Sequence, residues 1–182
     1  MDLRYPIGPF EWKGESSEAQ RRERIDRIEA APVRLMAAVQ GLSEEQLDTP
    51  YRPGGWTLRQ LVHHVADSHL NSYVRFRLAL TEDGPSVKGY DQDRWAELPD
   101  AKTAPVLVSL VLLEALHRRW VQLLRSMTPA DFARTLVHSE LGDVSLDRLL
   151  ALYAWHGDHH TRHITALRER QAWGVGLRVA PS

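Results

Sequence analysis

The 182-residue chain contains no cysteine. This absence excludes disulfide bonds, thiolate-ligated zinc sites and a cysteine nucleophile, and it fits a reducing cellular compartment. Any metal ion held by side chains would therefore have to bind histidine, aspartate or glutamate. Histidine is plentiful by comparison, with nine in the chain.

Long apolar runs and a strong net charge are also missing. No stretch approaches the roughly 18 apolar residues of a membrane span, and the N-terminus lacks the apolar run of a signal peptide. With 23 Lys and Arg against 24 Asp and Glu, the formal charge is −1, so no overall field attracts nucleic acid or an anionic membrane. We therefore expect a cytoplasmic protein that acts on a small molecule. The hydrophobic content of 43% predicts one domain over residues 1–182.

Apolar residues repeat at helical spacing in four long segments, which predicts an all-α fold. The segments cover about residues 17–41, 57–81, 105–124 and 145–170. A serine or threonine that can cap a helix precedes the first, second and fourth of them. Convincing strand patterns are absent, so the simplest architecture is a four-helix bundle with a metal site between helices.

Three features interrupt this regular pattern. Pro32 predicts a kink, or a break into two helices, near Ala30 and Ala31. Residues 1–14 combine proline and glycine with scattered aromatics, which predicts an extended arm packed on the body of the protein. The connection over residues 82–102 is long for a compact domain, so it is either an ordered lid over the metal or a plain surface loop.

Four of the nine histidines fall within residues 156–163, on the fourth predicted helix. His156 with His160, and His159 with His163, stand four residues apart, and this spacing stacks two imidazoles on one face of a helix. The pair His156 and His160 points closest to the apolar side, where each ring needs a hydrogen-bond partner or a ligand. A shared metal ion would serve both rings. The alternative is a pair of core histidines bonded to ordinary protein groups.

A catalytic zinc site normally uses three side chains, so a third donor is needed elsewhere in the chain. The second helix offers His63, His64 and His69. Its apolar stripe favours His69, but a bundle helix touches two neighbours and can bury a second stripe, so the pattern alone does not exclude His64. His117 on the third helix is a lone histidine beside two arginines and is predicted to be polar surface.

Several separated motifs in one order carry a resemblance to a known family. They are Tyr5-Pro6-Ile7-Gly8, residues 47–52, Gly54-Gly55-Trp56-Thr57, residues 63–69, the region of Tyr90, Asp91 and Trp95, and residues 155–163. Together they resemble the YfiT branch of the DinB-like superfamily, from about residue 5 to about residue 173. The resemblance implies a DinB-like four-helix bundle with long connecting loops, assembled as a homodimer. It also implies one divalent metal ion per chain, held by His64, His156 and His160. Zinc or nickel is the expected ion, because both bind imidazole well.

The resemblance implies metal-dependent chemistry of two kinds. In a hydrolase, the ion lowers the pKa of bound water from about 15.7 to about 7. In an S-transferase, the ion holds a low-molecular-weight thiol such as bacillithiol for attack on an electrophile. A further alternative is a non-catalytic bundle that the metal organises for binding. Asp158 and His159 are candidates for proton transfer. Asp67 and Asp158 are candidate acceptors for ring nitrogens that face away from the metal, and the alternative for each is a solvated surface carboxylate.

Overall fold

The computed structural model describes residues 2–174, and these residues form eight helices and three short strands. In chain order the elements are α1 (Glu18–Val39), α2 (Glu44–Leu47), α3 (Leu58–Thr81), β1 (Ser86–Val87), α4 (Gln92–Ala96), α5 (Pro99–Thr103), α6 (Val106–Ser126), α7 (Pro129–Ala133), β2 (Thr135–His138), β3 (Gly142–Ser145) and α8 (Leu146–Arg170). The single predicted domain also includes Met1 and residues 175–182, which lie outside the described residues.

The four long helices begin where the sequence predicts. Ser17 and Thr57 form capping boxes with Gln20 and Gln60, which satisfy backbone N–H groups at the starts of α1 and α3. Ser145 accepts a hydrogen bond from the backbone N–H at position 148 at 3.2 Å and so caps α8. The predicted all-α four-helix bundle is confirmed for the main body of the fold.

Two pairs of consecutive long helices, α1 with α3 and α6 with α8, stand diagonally opposite each other in the bundle. The first, α1, packs mainly on α8 and α6, and α3 packs on the same two helices from the other side. The connections from α1 to α3 and from α6 to α8 therefore cross from one corner of the bundle to the opposite corner. This arrangement places the middle of α3 against the middle of α8, where the histidines of both helices lie.

The core consists of two hydrophobic clusters with a polar layer between them. One cluster surrounds Phe76 and Trp120, and the other surrounds Leu61 and Leu113. On α3 and α8, most of the histidines lie between the residues of one cluster and those of the other. Burial in two apolar clusters supplies most of the driving force for folding, at about 25 cal/mol per Å² of apolar surface. The clusters can therefore hold a costly polar layer in place.

Three short strands accompany the helices, although the sequence shows no convincing strand pattern. Strands β2 and β3 pair as an antiparallel hairpin, with Leu136 opposite Val144, and β1 adds a short parallel edge. Alternate residues of β2 are buried, and Leu136 is fully buried in the first cluster. Strands of two to four residues are too short for an alternating pattern to stand out from the helical segments around them.

Of the two alternatives predicted at Pro32, a kink or a break, the break is wrong, because α1 continues through this residue without interruption. A proline inside a helix removes the N–H that would bond to the carbonyl four residues earlier, which here is the carbonyl of Ile28. That carbonyl accepts a hydrogen bond at 2.6 Å from Nδ1 of His117 on α6. A partner from another helix thus replaces the missing bond within α1.

The predicted arm and the long connection are both ordered. The arm lies against α8, where Trp155 donates a hydrogen bond to the carbonyl of Gly8 at 3.3 Å and packs on Phe10. Residues 82–102 contain β1, α4 and most of α5 rather than forming one irregular loop. Within residues 2–174, none of the helices has the length and apolar character needed to cross a bilayer.

A buried ion pair attaches the start of α1 to the start of α8. Asp147 is 2% exposed and accepts hydrogen bonds from the backbone N–H of Ser16 at 2.6 Å and from Nε of Arg21 at 3.1 Å. Removal of one partner of a buried pair leaves an uncompensated charge, so such a change costs far more than an exposed pair contributes.

We predict that Asp147→Asn lowers the free energy of unfolding by about 3 kcal/mol, because Arg21 loses its counter-charge. Urea denaturation of the metal-free protein measures this change. The matched control is Asp143→Asn, an exposed carboxylate in the hairpin, which should shift the midpoint little. Equal effects of the two substitutions would contradict the role given to the buried pair.

Candidate metal centre

The middle of the bundle brings His64 of α3 next to His156 and His160 of α8. Each of the three offers a ring nitrogen that lies within 4.8 Å of the others. The closest pair is Nε2 of His64 and Nε2 of His156, at 3.3 Å. The His160 ring lies 4.9 Å from that of His64 and 4.5 Å from that of His156, measured between centroids. The structure thus gathers the three side chains that the family resemblance implied as ligands.

A second triad overlaps the first and shares His160 with it. The ring nitrogens of His159, His160 and His163 also lie within 4.8 Å of one another. Nε2 of His163 donates to the carbonyl of Arg4 at 3.2 Å, so this ring has only Nδ1 left. The Nδ1 atoms of all three rings are buried without a hydrogen-bond partner among the described residues. Such orphaned polar atoms favour a ligand at this place.

Burial keeps these imidazoles neutral. Loss of solvent lowers the pKa of His64 to about 4, and burial followed by the neighbouring imidazoles lowers the pKa of His156 and His160 well below 6.5. Burial also lowers the pKa of His159 to about 3 and that of His163 to about 4. Because a metal ligand must carry a free lone pair, these neutral rings are ready to bind a cation without first losing a proton.

A chain of hydrogen bonds fixes which nitrogen of His156 carries the proton. The carbonyl of Ile28 can only accept, so Nδ1 of His117 donates to it, and the neutral His117 ring presents a lone pair at Nε2. Nε2 of His117 lies 2.9 Å from Nδ1 of His69, and Nε2 of His69 lies 3.2 Å from Nδ1 of His156. Each ring therefore donates from Nδ1 and accepts at Nε2. The free lone pair of His156 is consequently at Nε2, which faces His64.

Gly157 allows α8 to approach α1 closely at this level. A side chain at this position would place its Cβ 3.2 Å from Cβ of Ala31 and 3.6 Å from Cε1 of His69. The first distance is tighter than almost all observed contacts of this kind, so a larger residue would push the helices apart. The glycine beside His156 thus keeps the ring of His69 within hydrogen-bonding distance.

The histidines border a cavity of about 620 Å³. Its wall includes five imidazoles, those of His64, His156, His159, His160 and His163. The ring of Trp56 packs on His64 at 4.7 Å and that of Tyr51 on His163 at 4.2 Å. Arg4 and Tyr5 of the arm also border this cavity, so the arm is part of the site as well as a cover. Gln92 and Asp93 line it from the long connection, which therefore reaches the site.

The two carboxylates proposed as partners for the rings do not contact them. Asp158 accepts from Nε of Arg27 at 2.8 Å and from Nη2 of Arg34 at 2.6 Å, so both of its oxygens are occupied at the surface of α1. Asp67 forms no hydrogen bond to an imidazole among the described residues. The acceptor behind His156 is instead His69, and beyond it a backbone carbonyl. The prediction that these carboxylates accept hydrogen bonds from the rings is wrong, because the rings bond to each other and to the backbone.

His69 lies on the buried stripe of α3, as predicted, whereas His117 occupies a place that differs from its predicted one. His69, favoured by the apolar stripe of α3, lies behind His156 and is fully buried. His117 is 2% exposed, so its prediction as polar surface is wrong. A signal for its burial exists in the sequence, because His117 stands four residues after Leu113 and three before Trp120, both of which are fully buried.

The fold and the histidine cluster define the class of four-helix bundles with a candidate metal centre between helices. Within that class, the chain belongs to the DinB superfamily, whose sequence profile matches residues 27–164. The resemblance seen in the separated motifs is thereby confirmed.

Relatives share nearly the full length of this chain. It is 56% identical over 172 residues to a protein of Bacillus mycoides strain KBAB4, covering 94% of this chain and 99% of the relative. It is 55% identical, with the same coverage, to a protein of Bacillus thuringiensis subsp. konkukian. Both relatives carry the name "putative metal-dependent hydrolase".

The solved structures that are similar to this chain include two four-helix bundles. YfiT from Bacillus subtilis is 46% identical, with a TM-score of 0.93 over 96% of this chain and 100% of YfiT, and is described as "a probable metal-dependent hydrolase with an unusual four-helix bundle topology". TT2238, described as a four-helix bundle protein, is 24% identical with a TM-score of 0.54 over 84% of this chain and 98% of its own. This second likeness concerns the fold alone.

We predict that His117→Leu weakens the binding of zinc by about 10- to 100-fold, the usual effect of losing a group that orients a ligand. Leucine fills similar space but leaves Nδ1 of His69 without an acceptor, so the protonated nitrogen of His156 is no longer fixed. Competition with a chromophoric chelator measures the affinity.

The matched control is His63→Leu. Like His117, His63 is buried. It lies on α3 and bonds to Ser109 and to the carbonyl of Ala104, away from the hydrogen-bonded chain of histidines. Both substitutions should destabilise the fold, whereas only the change at His117 should weaken zinc binding. The same loss of affinity in both variants would show that general destabilisation, and not the chain of rings, is responsible.

The lowered pKa values also predict a loss of stability in acid. In the unfolded chain a histidine titrates near 6.5, whereas burial lowers the pKa of both His64 and His117 to about 4 in the fold. Below pH 6.5 the unfolded state therefore binds more protons, and stability falls as the pH decreases towards about 4. Asp67 acts in the opposite direction, because burial raises its pKa to about 6, but it is outnumbered by the buried rings. Urea denaturation of the metal-free protein between about pH 7.5 and pH 5 should show falling midpoints, and constant midpoints would contradict the neutral rings.

Proposed function

We propose that this protein is a metal-dependent hydrolase acting on a small molecule, with one zinc or nickel ion held by His64, His156 and His160. The observation that carries the proposal is the hydrogen-bonded chain from the Ile28 carbonyl, which directs the Nε2 lone pair of His156 towards His64. Two neutral rings facing each other nitrogen to nitrogen at 3.3 Å suit a shared cation. The names of the relatives support the same class of reaction.

The triad of His64, His156 and His160 is favoured over the overlapping one for two reasons. It draws side chains from two helices, α3 and α8, so the fold itself sets the distances between donors. It also contains His156, whose free lone pair at Nε2 is directed towards His64 by the hydrogen-bonded rings behind it. In the other triad, His163 has already committed Nε2 to the backbone of the arm, and His159 stacks on Trp155 at 4.2 Å.

The donor set suits hydrolysis because it leaves the charge of the ion uncompensated. Held by three neutral imidazoles, a divalent ion would supply Lewis-acid chemistry, lowering the pKa of bound water and polarising a carbonyl group. The protein shapes the environment of the site. Trp56 and Tyr51 pack on the rings and shield them from bulk water, and His69 holds neutral His156 in one tautomer. Of the two candidates for proton transfer, we assign the role to His159, which borders the cavity and whose Nδ1 has no hydrogen-bond partner within residues 2–174. Asp158 is neutralised by two arginines.

The proposal predicts different losses for two residues of the same helix. His156→Ala should abolish the binding of one equivalent of metal and with it all hydrolysis, because the oriented donor is gone. His159→Ala should still bind one equivalent but should hydrolyse about 100-fold more slowly, the usual scale of a general acid or base. Metal content after gel filtration, and the hydrolysis of a panel of nitrophenyl esters and anilides by the reloaded protein, measure the two effects.

Each alternative outcome has a distinct meaning. If His159→Ala loses the metal while His156→Ala keeps it, the overlapping triad is the binding site. If the metal-loaded protein hydrolyses none of the panel but consumes a thiol in the presence of an electrophile, the protein is an S-transferase and the proposed reaction is wrong. If neither reaction depends on the metal, the bundle uses its histidines without catalysis. Circular dichroism of each variant shows whether the helices are intact.

A further inference from the structure

Arg75 on α3 is a buried charge with few partners. The residue is 7% exposed. Its Nη2 donates to the carbonyl of Lys88 at 3.2 Å, and its Nη1 lies 3.5 Å from the hydroxyl of Tyr153, the outer limit of a hydrogen bond. Arg75 forms no ion pair with the residues that the structure describes. A buried charge of this kind is costly unless it is paired, so the lack of a partner needs a cause.

The other two buried arginines of residues 2–174 have more partners, or closer ones, than Arg75. Arg59 bonds to the carboxylates of Asp48 at 2.7 Å and Glu44 at 2.5 Å. Arg168 donates three hydrogen bonds of 2.8 to 3.0 Å to backbone carbonyls. Among the described residues, Arg75 binds neither a carboxylate nor several carbonyl groups. Unlike Arg59 and Arg168, it borders a cavity that is also lined by His156, one of the proposed metal ligands.

That cavity measures about 530 Å³ and reaches His156. Its lining combines Arg75 and His156 with the aromatic rings of Tyr90 and Tyr153, the hydroxyl of Ser68 and the apolar side chain of Leu152. A small organic molecule in this space would meet the guanidinium, hydroxyl donors and aromatic walls at once. Cavities of a few hundred Å³ with a few directed polar groups are the usual form of a small-molecule site.

The other charged and titratable groups at this cavity do not neutralise Arg75. His138 is buried, and burial together with the charge of Arg75 lowers its pKa, so it stays neutral. Asp91 and Glu140 line the cavity but are exposed to solvent. Asp91 accepts a hydrogen bond from the backbone of α4, and Glu140 lies against Gly89. Water screens these two carboxylates far more than it screens the guanidinium.

We propose that Arg75 is the binding site for a carboxylate of the substrate, with the bond to be hydrolysed held beside His156. The planar guanidinium matches a carboxylate with two parallel hydrogen bonds, and the carboxylate would supply the missing counter-charge. This inference rests on the proposed function for the reaction, but the anion site itself does not require the metal. The substrate class is therefore a small organic acid that carries a hydrolysable bond.

The test compares butyrate with butyramide, which have the same shape but differ in charge. Titration of the full-length protein, followed by the NMR signal of the Arg75 side-chain N–H, should show saturable binding of butyrate and at least about tenfold weaker binding of butyramide. This comparison needs no substitution and is valid even if a variant folds poorly.

Variants then locate the site. Arg75→Gln should weaken butyrate binding at least about tenfold, and Arg75→Lys should fall between it and the wild type because lysine keeps the charge but loses the planar fork. The matched control is Arg77→Gln on the same helix, an exposed arginine that should leave binding unchanged. All three variants should still bind one equivalent of zinc.

Measurements with and without zinc separate this proposal from the proposed reaction. Butyrate binding that persists in the metal-free protein and depends on Arg75 supports the anion site, even if no hydrolysis is ever found. Binding that disappears with zinc and is unchanged in Arg75→Gln would place the carboxylate on the metal and overturn the inference. Equal affinities for butyrate and butyramide would overturn it as well.

Discussion

One backbone carbonyl sets the orientation of the histidine layer. Pro32 has no N–H, so the carbonyl of Ile28 is free to accept from His117, and the chain of rings that starts there ends at Nε2 of His156. A proline inside a helix usually costs about 3 kcal/mol, and here the same residue provides a fixed acceptor in the middle of a bundle. The direction of every later hydrogen bond follows from this one, because a carbonyl cannot donate. The geometry of α1 is thereby linked to a site built from α3 and α8.

The polar layer lowers the stability of the fold and makes the site available. Buried imidazoles take space that apolar side chains would otherwise fill, and each nitrogen without a partner costs about 1–3 kcal/mol. The two hydrophobic clusters on either side offset this cost and hold the helices at a fixed spacing. Any cation that binds only the folded state would add stability in proportion to its affinity, by about 2.7 kcal/mol at 100 times its dissociation constant. The polar layer thus lowers the stability of the metal-free bundle and at the same time provides a binding site for a cation.

The sequence predicts the long helices better than it predicts which residues of different helices contact each other. Serine and threonine caps fix the starts of α1, α3 and α8, because capping is a local interaction. The contact between α3 and α8 is not local, and the apolar stripe of α3 pointed to His69, whereas the separated family motifs pointed to His64. The stripe selected the ring nearest the core, which serves as a partner of His156. His117 and Arg75 were missed because each depends on what another helix places opposite it. The hairpin of β2 and β3 was missed because its strands are so short.

The central claim is that imidazoles from α3 and α8 meet on one cation through nitrogens that the fold has already selected. The most direct measurement is the nitrogen NMR spectrum of the histidine rings as the full-length protein is loaded with zinc. The account predicts changes at His64, His156 and His160 that are complete at one equivalent, with His156 bound through Nε2 and still protonated at Nδ1. Changes centred on His159 and His163, or a zinc ion bound to Nδ1 of His156, would contradict it.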